Sequence, residues 1–326
     1  MPKPNVFVVC PPDHPVLKNL DAIREQANIS VGGDPAAVAR FARDAEIILY
    51  SGFSDTVVPF HDVWQAARKV KWVQSLSAGV EKLVTSDLAH SDVPLTNARG
   101  VFKRSLAEFA IFGILYHYKR GRRLVESQRV HHWDNFHVGW VPDKVMGIVG
   151  YGEIGRECGL LAHGLGMKIQ AVRRRPEHSA KDPILDRVFP SEGLHEMLHA
   201  IDVLLAAAPL TPQTKHMLGY QEFSAMKPSS IVINVGRGPV IDQEALIRAL
   251  QEKKIAGAAL DVFETEPLPA DNPLWDMENV LISPHCTDRT DDPDWLDLSM
   301  QVFIKNFGRY VKGEPLINVV DKKAGY

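Results

Sequence analysis

The sequence predicts an α/β fold made of two doubly wound parallel-sheet domains, and three observations support this prediction. Strand-like and helix-like segments alternate along the chain. The alternation stops near residue 100, where a long helical segment replaces the expected strand. A second strand–helix series then begins at Lys144 and ends in another helix. Alternation of this kind is typical of parallel sheets covered by helices, and two series predict two sheets.

The first series runs from the N-terminus to about Arg99. Strands are predicted at NVFVVC, AEIILYS and KWVQSLS, and helices at HPVLKNLDAIREQ, PAAVARFAR and FHDVWQAARK. The break in the alternation is SLAEFAIFGILYHYKRGRRLVESQRVHHW, which is predicted as one long helix beginning at Ser105. We expect residues 1–99 and 291–326 to form one domain, with the C-terminal helix packed back on the first sheet.

The second series supplies the strands KVMGIVG, MKIQAV, DVLLAAAPL, SSIVINVG, AGAALDVF and NVLISPH. It is followed by the helix DWLDLSMQVFIKNFGRYVKG and the extended segment EPLINVV. Residues 100–290 are therefore predicted to form a second domain that is inserted into the first, with a cleft between the two.

Composition narrows the class of function. The 37 Lys and Arg residues against 40 Asp and Glu give a net charge of −3, so no overall basic field would attract nucleic acid or an anionic membrane. There is no stretch of about 18 apolar residues and no charged-then-apolar leader. The three cysteines are too few for a disulfide framework. We expect a cytoplasmic protein that acts on small molecules.

A glycine-rich motif opens the second series. In VMGIVGYGEIGREC, Gly150, Gly152 and Gly155 have G-x-G-x-x-G spacing, directly after an apolar strand and directly before a helix. Gly150 would make the tight turn, Gly152 would let the backbone approach a pyrophosphate, and Gly155 would allow close helix packing. The alternative is that the glycines serve only as a turn and a helix end. In this context the motif predicts a Rossmann dinucleotide site.

The next strand, MKIQAV, ends at Arg173, which is the position that meets the adenosine ribose in such a site. An acidic residue there would bind the 2′-hydroxyl of NAD, whereas arginine suits the 2′-phosphate of NADP. Arg173 and Arg174 therefore predict a preference for NADP, with NAD as the weaker cofactor. The alternative is a solvated turn, which is the interpretation preferred for Arg175.

Polar residues stand where later strands end. Arg237 follows SSIVINVG, Asp261 and Glu266 follow AGAAL, and His285 follows NVLIS. Ligands of open α/β sheets bind outside the carboxyl ends of the strands. Arginine can hold a carboxylate through its planar donor fork, and histidine beside a carboxylate can supply a proton at neutral pH. Together with a nicotinamide, these residues form a complete set for reducing a 2-oxo acid.

These motifs, with LTPQTKHMLGYQEFSAMKPSSIVINVGRGPVIDQEAL and GAALDVFETEPLP, resemble the D-isomer-specific 2-hydroxyacid dehydrogenase family over nearly the whole chain. The resemblance implies a Rossmann cofactor domain inserted into a flavodoxin-like substrate domain, and a homodimer formed through the cofactor domain. The arginines after MKIQAV are similar to those of the NADP-using glyoxylate and hydroxypyruvate reductases of this family. The expected reaction is hydride transfer between NAD(P)H and a small 2-oxo acid, giving a D-2-hydroxy acid.

The resemblance also implies roles for individual residues. Arg237 would bind substrate, Glu266 would pair with His285 as the acid/base, and Asp261 would contact the carboxamide side of the nicotinamide. Ser77, Ala78 and Gly79 of SLSAGVEK would bind the substrate carboxylate. The remaining expected cofactor contacts are Tyr151, Glu153, Ile154 and Pro209. PHCTDRTDDPDW departs from the small residues that usually follow the histidine, which leaves the identity of the substrate open.

Two alternative functions remain open at this point. His195 and His199 in HEMLH have the H-E-x-x-H spacing of a zinc hydrolase, although the segment also has the apolar pattern of a helix between Rossmann strands. No metal is predicted. Some relatives of the resembled family act as nucleotide-sensing corepressors, which is the second alternative. His131, His132 and His137 are interpreted as surface or dimer-interface residues rather than as ligands.

Overall fold

The computed structural model describes residues 2–52, 57–290 and 295–325. The chain divides into two compact units, Met1–Val101 with Thr290–Tyr326, and Phe102–Arg289. Each unit contains a sheet in which all the paired strands are parallel, so the predicted fold class is confirmed. The predicted boundary at Asp291 lies outside the described residues.

The first unit contains a five-stranded sheet in the order β2-β1-β3-β4-β5. Its strands are β1 (Asn5–Val9), β2 (Asn28–Val31), β3 (Ile47–Tyr50), β4 (Trp72–Ser75) and β5 (Leu95–Thr96), and its helices are α1 (Pro35–Phe41), α2 (Phe60–Ala66), α3 (Ser86–Ala89) and, near the C-terminus, α10 (Asp297–Val311). The segment predicted as the first helix is a 3₁₀ helix, Pro15–Ile23. Strands β2 and β5 were not predicted: β2 is a short edge strand in which Asn and Ser alternate with Ile and Val, and β5 has only two residues.

The alternating residues of β1 belong to two separate cores, as the period of two in a strand requires. Val6 and Val8 lie in a cluster with Trp72 and Phe303, and Phe7 and Val9 lie in another. The rings of Trp72 and Phe303 are stacked with centroids 5.4 Å apart. Helix α10 thus packs on the first sheet.

The second unit contains a seven-stranded sheet in the order β12-β11-β10-β9-β6-β7-β8. Its strands are β6 (Val145–Val149), β7 (Lys168–Val172), β8 (Arg187–Phe189), β9 (Val203–Ala206), β10 (Ile231–Asn234), β11 (Gly257–Leu260) and β12 (Val280–Ile282). Its helices are α4 (Lys103–Tyr118), α5 (Gly121–Arg129), α6 (Glu153–Gly164), α7 (Leu194–Ala200), α8 (Tyr220–Ala225) and α9 (Gln243–Gln251). The strand order reverses between β6 and β9, which is where ligands bind in doubly wound sheets.

The prediction of one long helix after residue 105 is wrong. The segment forms α4 and α5, and the chain turns between them at Arg120, which has a left-handed backbone with φ 55°. Helix α5 has no buried residue, whereas α4 buries five. An apolar stretch and a charged stretch thus form separate helices, because only the first has a core to pack against. Among the described helices, none is both long enough and apolar enough to cross a membrane.

Candidate active site

The glycine motif connects β6 to α6 at the position where the strand order reverses. Gly150 has a positive φ of 94°, and a Cβ atom there would lie 2.4 Å from the backbone nitrogen of Ala208. A Cβ atom on Gly155 would lie 2.4 Å from the carbonyl oxygen of Gly150. A Cβ atom on Gly152 would meet nothing within 4 Å. The motif is therefore closely packed at Gly150 and Gly155 and open at Gly152. The open space lies beside the N-terminus of α6, where a dinucleotide pyrophosphate would fit.

The three loops that were predicted to hold the cofactor lie at one edge of the second sheet. The amide of Gly150 donates to the carbonyl oxygen of Val172, so the glycine loop lies beside the end of β7 and Arg173. The amide of Ala207 donates to the carbonyl oxygen of Val149, which brings the loop containing Pro209 alongside β6. The glycine loop, the loop of Arg173 and the loop of Pro209 therefore lie along the same edge of the sheet, and their cofactor contacts stay predictions.

Side-chain contacts shape the adenosine end of this site. Arg173 is partly buried and donates to the hydroxyl group of Ser179, whereas Arg174 and Arg175 are exposed. The buried Tyr151 donates to Asp182 at 3.2 Å, and Arg156 donates to the same carboxylate at 2.7 Å. Burial alone would raise the pKa of Asp182, but its hydrogen bonds, above all that from Arg156, hold the pKa below its usual value. Ile154 is partly buried, and the exposed Glu153 pairs with Lys103 at 3.1 Å.

Arg237, Glu266 and His285 come from three loops at the carboxyl ends of β10, β11 and β12. The Nδ1 atom of His285 lies 2.6 Å from Oε2 of Glu266, and the amide of Phe263 donates to Oε1 of Glu266 at 2.9 Å. A Cβ atom on Gly238 would lie 1.9 Å from the carbonyl oxygen of Phe263. Glycine at 238 thus lets the loop of Arg237 pack directly against the loop of Glu266.

The charges in this group act on one another. The hydrogen bond that His285 donates to Glu266 raises the pKa of His285 above its ordinary value, against the effects of burial and of the positive charge on Arg237. Burial would raise the pKa of Glu266, but the hydrogen bonds from His285 and Phe263 outweigh it and lower that pKa. The pair therefore favours an imidazolium beside a carboxylate, which is the state required for donating a proton.

Asp261 lies at the end of β11 and is only 1% exposed. Its carboxylate accepts hydrogen bonds from the Ser283 hydroxyl group, the Cys286 and Thr287 amides and the Thr287 hydroxyl group. Sequence reasoning did not identify Ser283 and Thr287 as residues of the site. Ser283 and Thr287 lie in NVLISPH and PHCTDRTDDPDW, but only their hydrogen bonds to Asp261 show that they belong to the site.

Ser77, Ala78 and Gly79 follow β4 in the first unit. The side-chain amide of Asn97 donates to the carbonyl oxygen of Ala78 at 2.7 Å, and the amide of Ala98 donates to that of Ser77 at 3.1 Å. These bonds hold the loop on the neighbouring segment after β5. Its expected contact with a substrate carboxylate stays a prediction.

The histidines of HEMLH are exposed on α7, while Leu194, Met197 and Leu198 of the same helix are buried. His195 pairs with Glu222 at 3.1 Å. Across the parts of the chain that the structure describes, no group of three or more His, Cys, Asp or Glu residues could hold a metal ion. The apolar pattern of this segment therefore reflects a helix that covers the Rossmann sheet.

The fold and the glycine motif define a dinucleotide-binding α/β protein with a His–Glu pair at the carboxyl ends of its strands. Residues 111–287 match the family model described as D-isomer specific 2-hydroxyacid dehydrogenase, NAD binding domain. This protein belongs to that family. The comparisons support neither the corepressor nor the zinc hydrolase alternative.

Individual relatives agree with this assignment. The chain is 32% identical over 274 residues to a glyoxylate reductase of Korarchaeum cryptofilum, covering 80% of this chain and 79% of the relative. It resembles the structure of a D-isomer specific 2-hydroxyacid dehydrogenase from Xanthobacter autotrophicus in complex with NADPH and MES, with a TM-score of 0.83, 27% identity and full coverage of both chains. The NADPH-dependent glyoxylate/hydroxypyruvate reductase of Sinorhizobium meliloti, in complex with NADP and sulfate, has a TM-score of 0.82 and 25% identity, covering 99% of this chain and 100% of that one.

Proposed function

We propose that this protein uses a nicotinamide cofactor to reduce a small 2-oxo acid, of the glyoxylate or hydroxypyruvate type, to a D-2-hydroxy acid. The observation that carries the proposal is the 2.6 Å contact between His285 and Glu266, next to the loop of Arg237 and in the unit that contains the dinucleotide motif. The glyoxylate reductases among the relatives support the choice of substrate class.

When bound, the reduced cofactor supplies the hydride. His285 donates Nδ1–H to Glu266 and can hold a second proton on Nε2, from which it protonates the carbonyl oxygen of the substrate. Glu266 keeps the imidazolium protonated and oriented. Arg237 binds the substrate carboxylate and carbonyl oxygen through its planar donors. In the opposite direction, neutral His285 accepts the proton of the hydroxy acid.

Residues 1–99 and 291–326, which lie within the first unit, are proposed as the substrate domain, and residues 100–290, which include the whole second unit, as the cofactor domain. Ser77, Ala78 and Gly79 would then provide backbone N–H groups for the substrate carboxylate. The hydrogen bonds from Asn97 and Ala98 support this role, because they hold the carbonyl groups of the loop in a defined direction.

NADP is the proposed preferred cofactor, with NAD used more weakly. Arg173 lies at the end of β7, its guanidinium group is held by the hydroxyl group of Ser179, and Arg174 is exposed beside it. The solved relatives from Xanthobacter autotrophicus and Sinorhizobium meliloti, which contain NADPH and NADP, favour the same choice. Arginine at this position pairs with a 2′-phosphate, and the carboxylate that would select NAD is missing from β7.

A homodimer formed through the cofactor unit completes the proposal. Seven large apolar side chains between residues 112 and 140 are exposed in that unit, and Trp133 is 95% exposed. They are Phe112, Leu124, Val125, Val130, Trp133, Val138 and Trp140. Apolar exposure concentrated in one segment is typical of an interface. The cytoplasmic location stays a prediction.

The proposal is tested by measuring kcat/KM for a panel of 2-oxo acids with NADPH and with NADH, and by determining the configuration of the product. We expect turnover of glyoxylate or hydroxypyruvate, D configuration where the product is chiral, and higher efficiency with NADPH. The H285Q variant, which cannot donate the proton, serves as the control. Absence of turnover with every 2-oxo acid, in a protein that binds the cofactor, would contradict the proposal.

A further inference from the structure

The carboxylate of Asp261 is occupied by contacts within the protein. Its Oδ1 atom accepts from the hydroxyl group of Ser283 at 2.7 Å and from the amides of Cys286 and Thr287 at 3.2 and 3.3 Å. Its Oδ2 atom accepts from the hydroxyl group of Thr287 at 2.6 Å. Among the described residues, Oδ1 thus accepts three hydrogen bonds within the protein and Oδ2 accepts one, which leaves one of the two acceptor positions of Oδ2 open. All four donors come from one segment, Ser283 to Thr287, which surrounds His285.

His285 has an uncommon backbone conformation at the centre of that segment. Its φ is 50°, in the left-handed region that a residue with a Cβ atom adopts only at a cost. Its amide donates to the carbonyl oxygen of Asp261 at 2.9 Å, and the amide of Ser283 donates to that of Leu260 at 2.8 Å. The carbonyl oxygen of Thr287 accepts from the hydroxyl group of Ser105 on α4. The turn is therefore held on both sides of the histidine.

We propose that Asp261 is the positioning residue of His285: its carboxylate gathers Ser283, Cys286 and Thr287 and so holds the imidazole in contact with Glu266. This inference rests on the proposed function, in which His285 is the acid/base. The expected contact of Asp261 with the nicotinamide stays a prediction beside this role, because Oδ2 accepts only one hydrogen bond from the described part of the protein.

Several charged groups lie near His285, and their electrostatic effects on its pKa have to be distinguished from the positioning effect of Asp261. Glu266 bonds to Nδ1 directly, Arg237 opposes the imidazolium, and Asp261 and the partly buried Asp288 add negative charge. Removing the charge of Asp261 therefore changes both the position of His285 and the electrostatic potential at its imidazole. Removing the hydroxyl group of Thr287 changes only the position of the loop, so T287V is the more informative variant and T287S, which keeps the hydroxyl group, is its matched control.

The first experiment compares kcat, KM and NADPH affinity, the last by fluorescence titration, for T287V, T287S, S283A and D261N. A displaced general acid costs roughly tenfold to a hundredfold in rate. We expect that loss in kcat for T287V, with NADPH affinity unchanged and with most of the loss recovered in T287S. Adding T287V to D261N should lower kcat much less than T287V does alone, because both substitutions remove the same hydrogen bond between Thr287 and Asp261. A normal kcat in T287V would overturn the positioning role, whatever D261N does to NADPH binding.

The second experiment needs neither substrate nor cofactor. The Cε1–H resonance of His285, identified by its loss in H285Q, is titrated by NMR in the wild type and in T287V. We expect the pKa of His285 to fall in T287V, because the contact with Glu266 loosens, and to recover in T287S. Identical titration curves would overturn the positioning role. Since this measurement does not depend on turnover, failure of the proposed reaction and failure of this inference are distinguishable.

Discussion

Replacing Glu266 with glutamine removes the charge that stabilises protonated His285 while the size of the side chain is retained. The bond between the two side chains is 2.6 Å long, and a hydrogen bond to a charged partner contributes about 1.5–3 kcal/mol. The side chains of His285 and Glu266 are 44% and 34% exposed, so solvent screening favours the lower value. A loss of about 1.5 kcal/mol corresponds to about a tenfold decrease in the rate of reduction at neutral pH.

The direction of the pH dependence follows from the raised pKa of His285. Reduction requires the protonated imidazole, so kcat/KM is fully developed at low pH and is lost as pH rises through this pKa. Because Glu266 raises the pKa, E266Q lowers it, and the declining limb of the reduction profile moves to lower pH. Oxidation of the hydroxy acid requires neutral His285, so its rising limb should move in the same direction.

The assay is kcat/KM against pH in both directions at saturating cofactor. The control is E264Q, which removes a neighbouring carboxylate whose partners are His216 and the amide of Gln243. We expect the profile of E264Q to follow the wild type. If the pH profile of E266Q also superimposes on that of the wild type, Glu266 does not stabilise protonated His285, and its proposed role is refuted.

The other predictions concern the cofactor, the core and the association of chains. R173D should shift the ratio of kcat/KM with NADPH to kcat/KM with NADH toward NADH by about tenfold or more, because aspartate repels the 2′-phosphate and accepts a hydrogen bond from a ribose hydroxyl group. Steady-state kinetics with both cofactors at low salt measure this ratio. An unchanged ratio would mean that Arg173 is part of a solvated turn. F223A should lower the free energy of unfolding by roughly 3–5 kcal/mol, because its fully buried ring would leave a cavity, as urea titration can measure. W133E should convert a dimer to a monomer in light scattering, and a monomeric wild type would contradict the proposed interface.

Much of the fold could be predicted from local pattern. The apolar strands that precede Gly150 and Arg237 are continuous because both faces of a parallel sheet are buried, and such strands are visible without knowledge of their neighbours. Strands β2, β5 and β8 were missed because each is an edge strand of four residues or fewer, with polar residues in β2 and β8 and only two residues in β5. The break at Arg120 was missed because a glycine among arginines does not by itself end a helix.

The sequence by itself determined the two strand–helix series, the dinucleotide motif and the order in which Arg237, Glu266 and His285 follow their strands. Spacing and residue type are sufficient for these features, because hydrophobic periodicity and backbone requirements act over a few residues. Only the tertiary structure decided which polar groups meet. Asp261 lies 22 residues from Ser283, yet the two are joined by a hydrogen bond of 2.7 Å. Contacts of this kind depend on the register and packing of neighbouring strands, which no local pattern encodes.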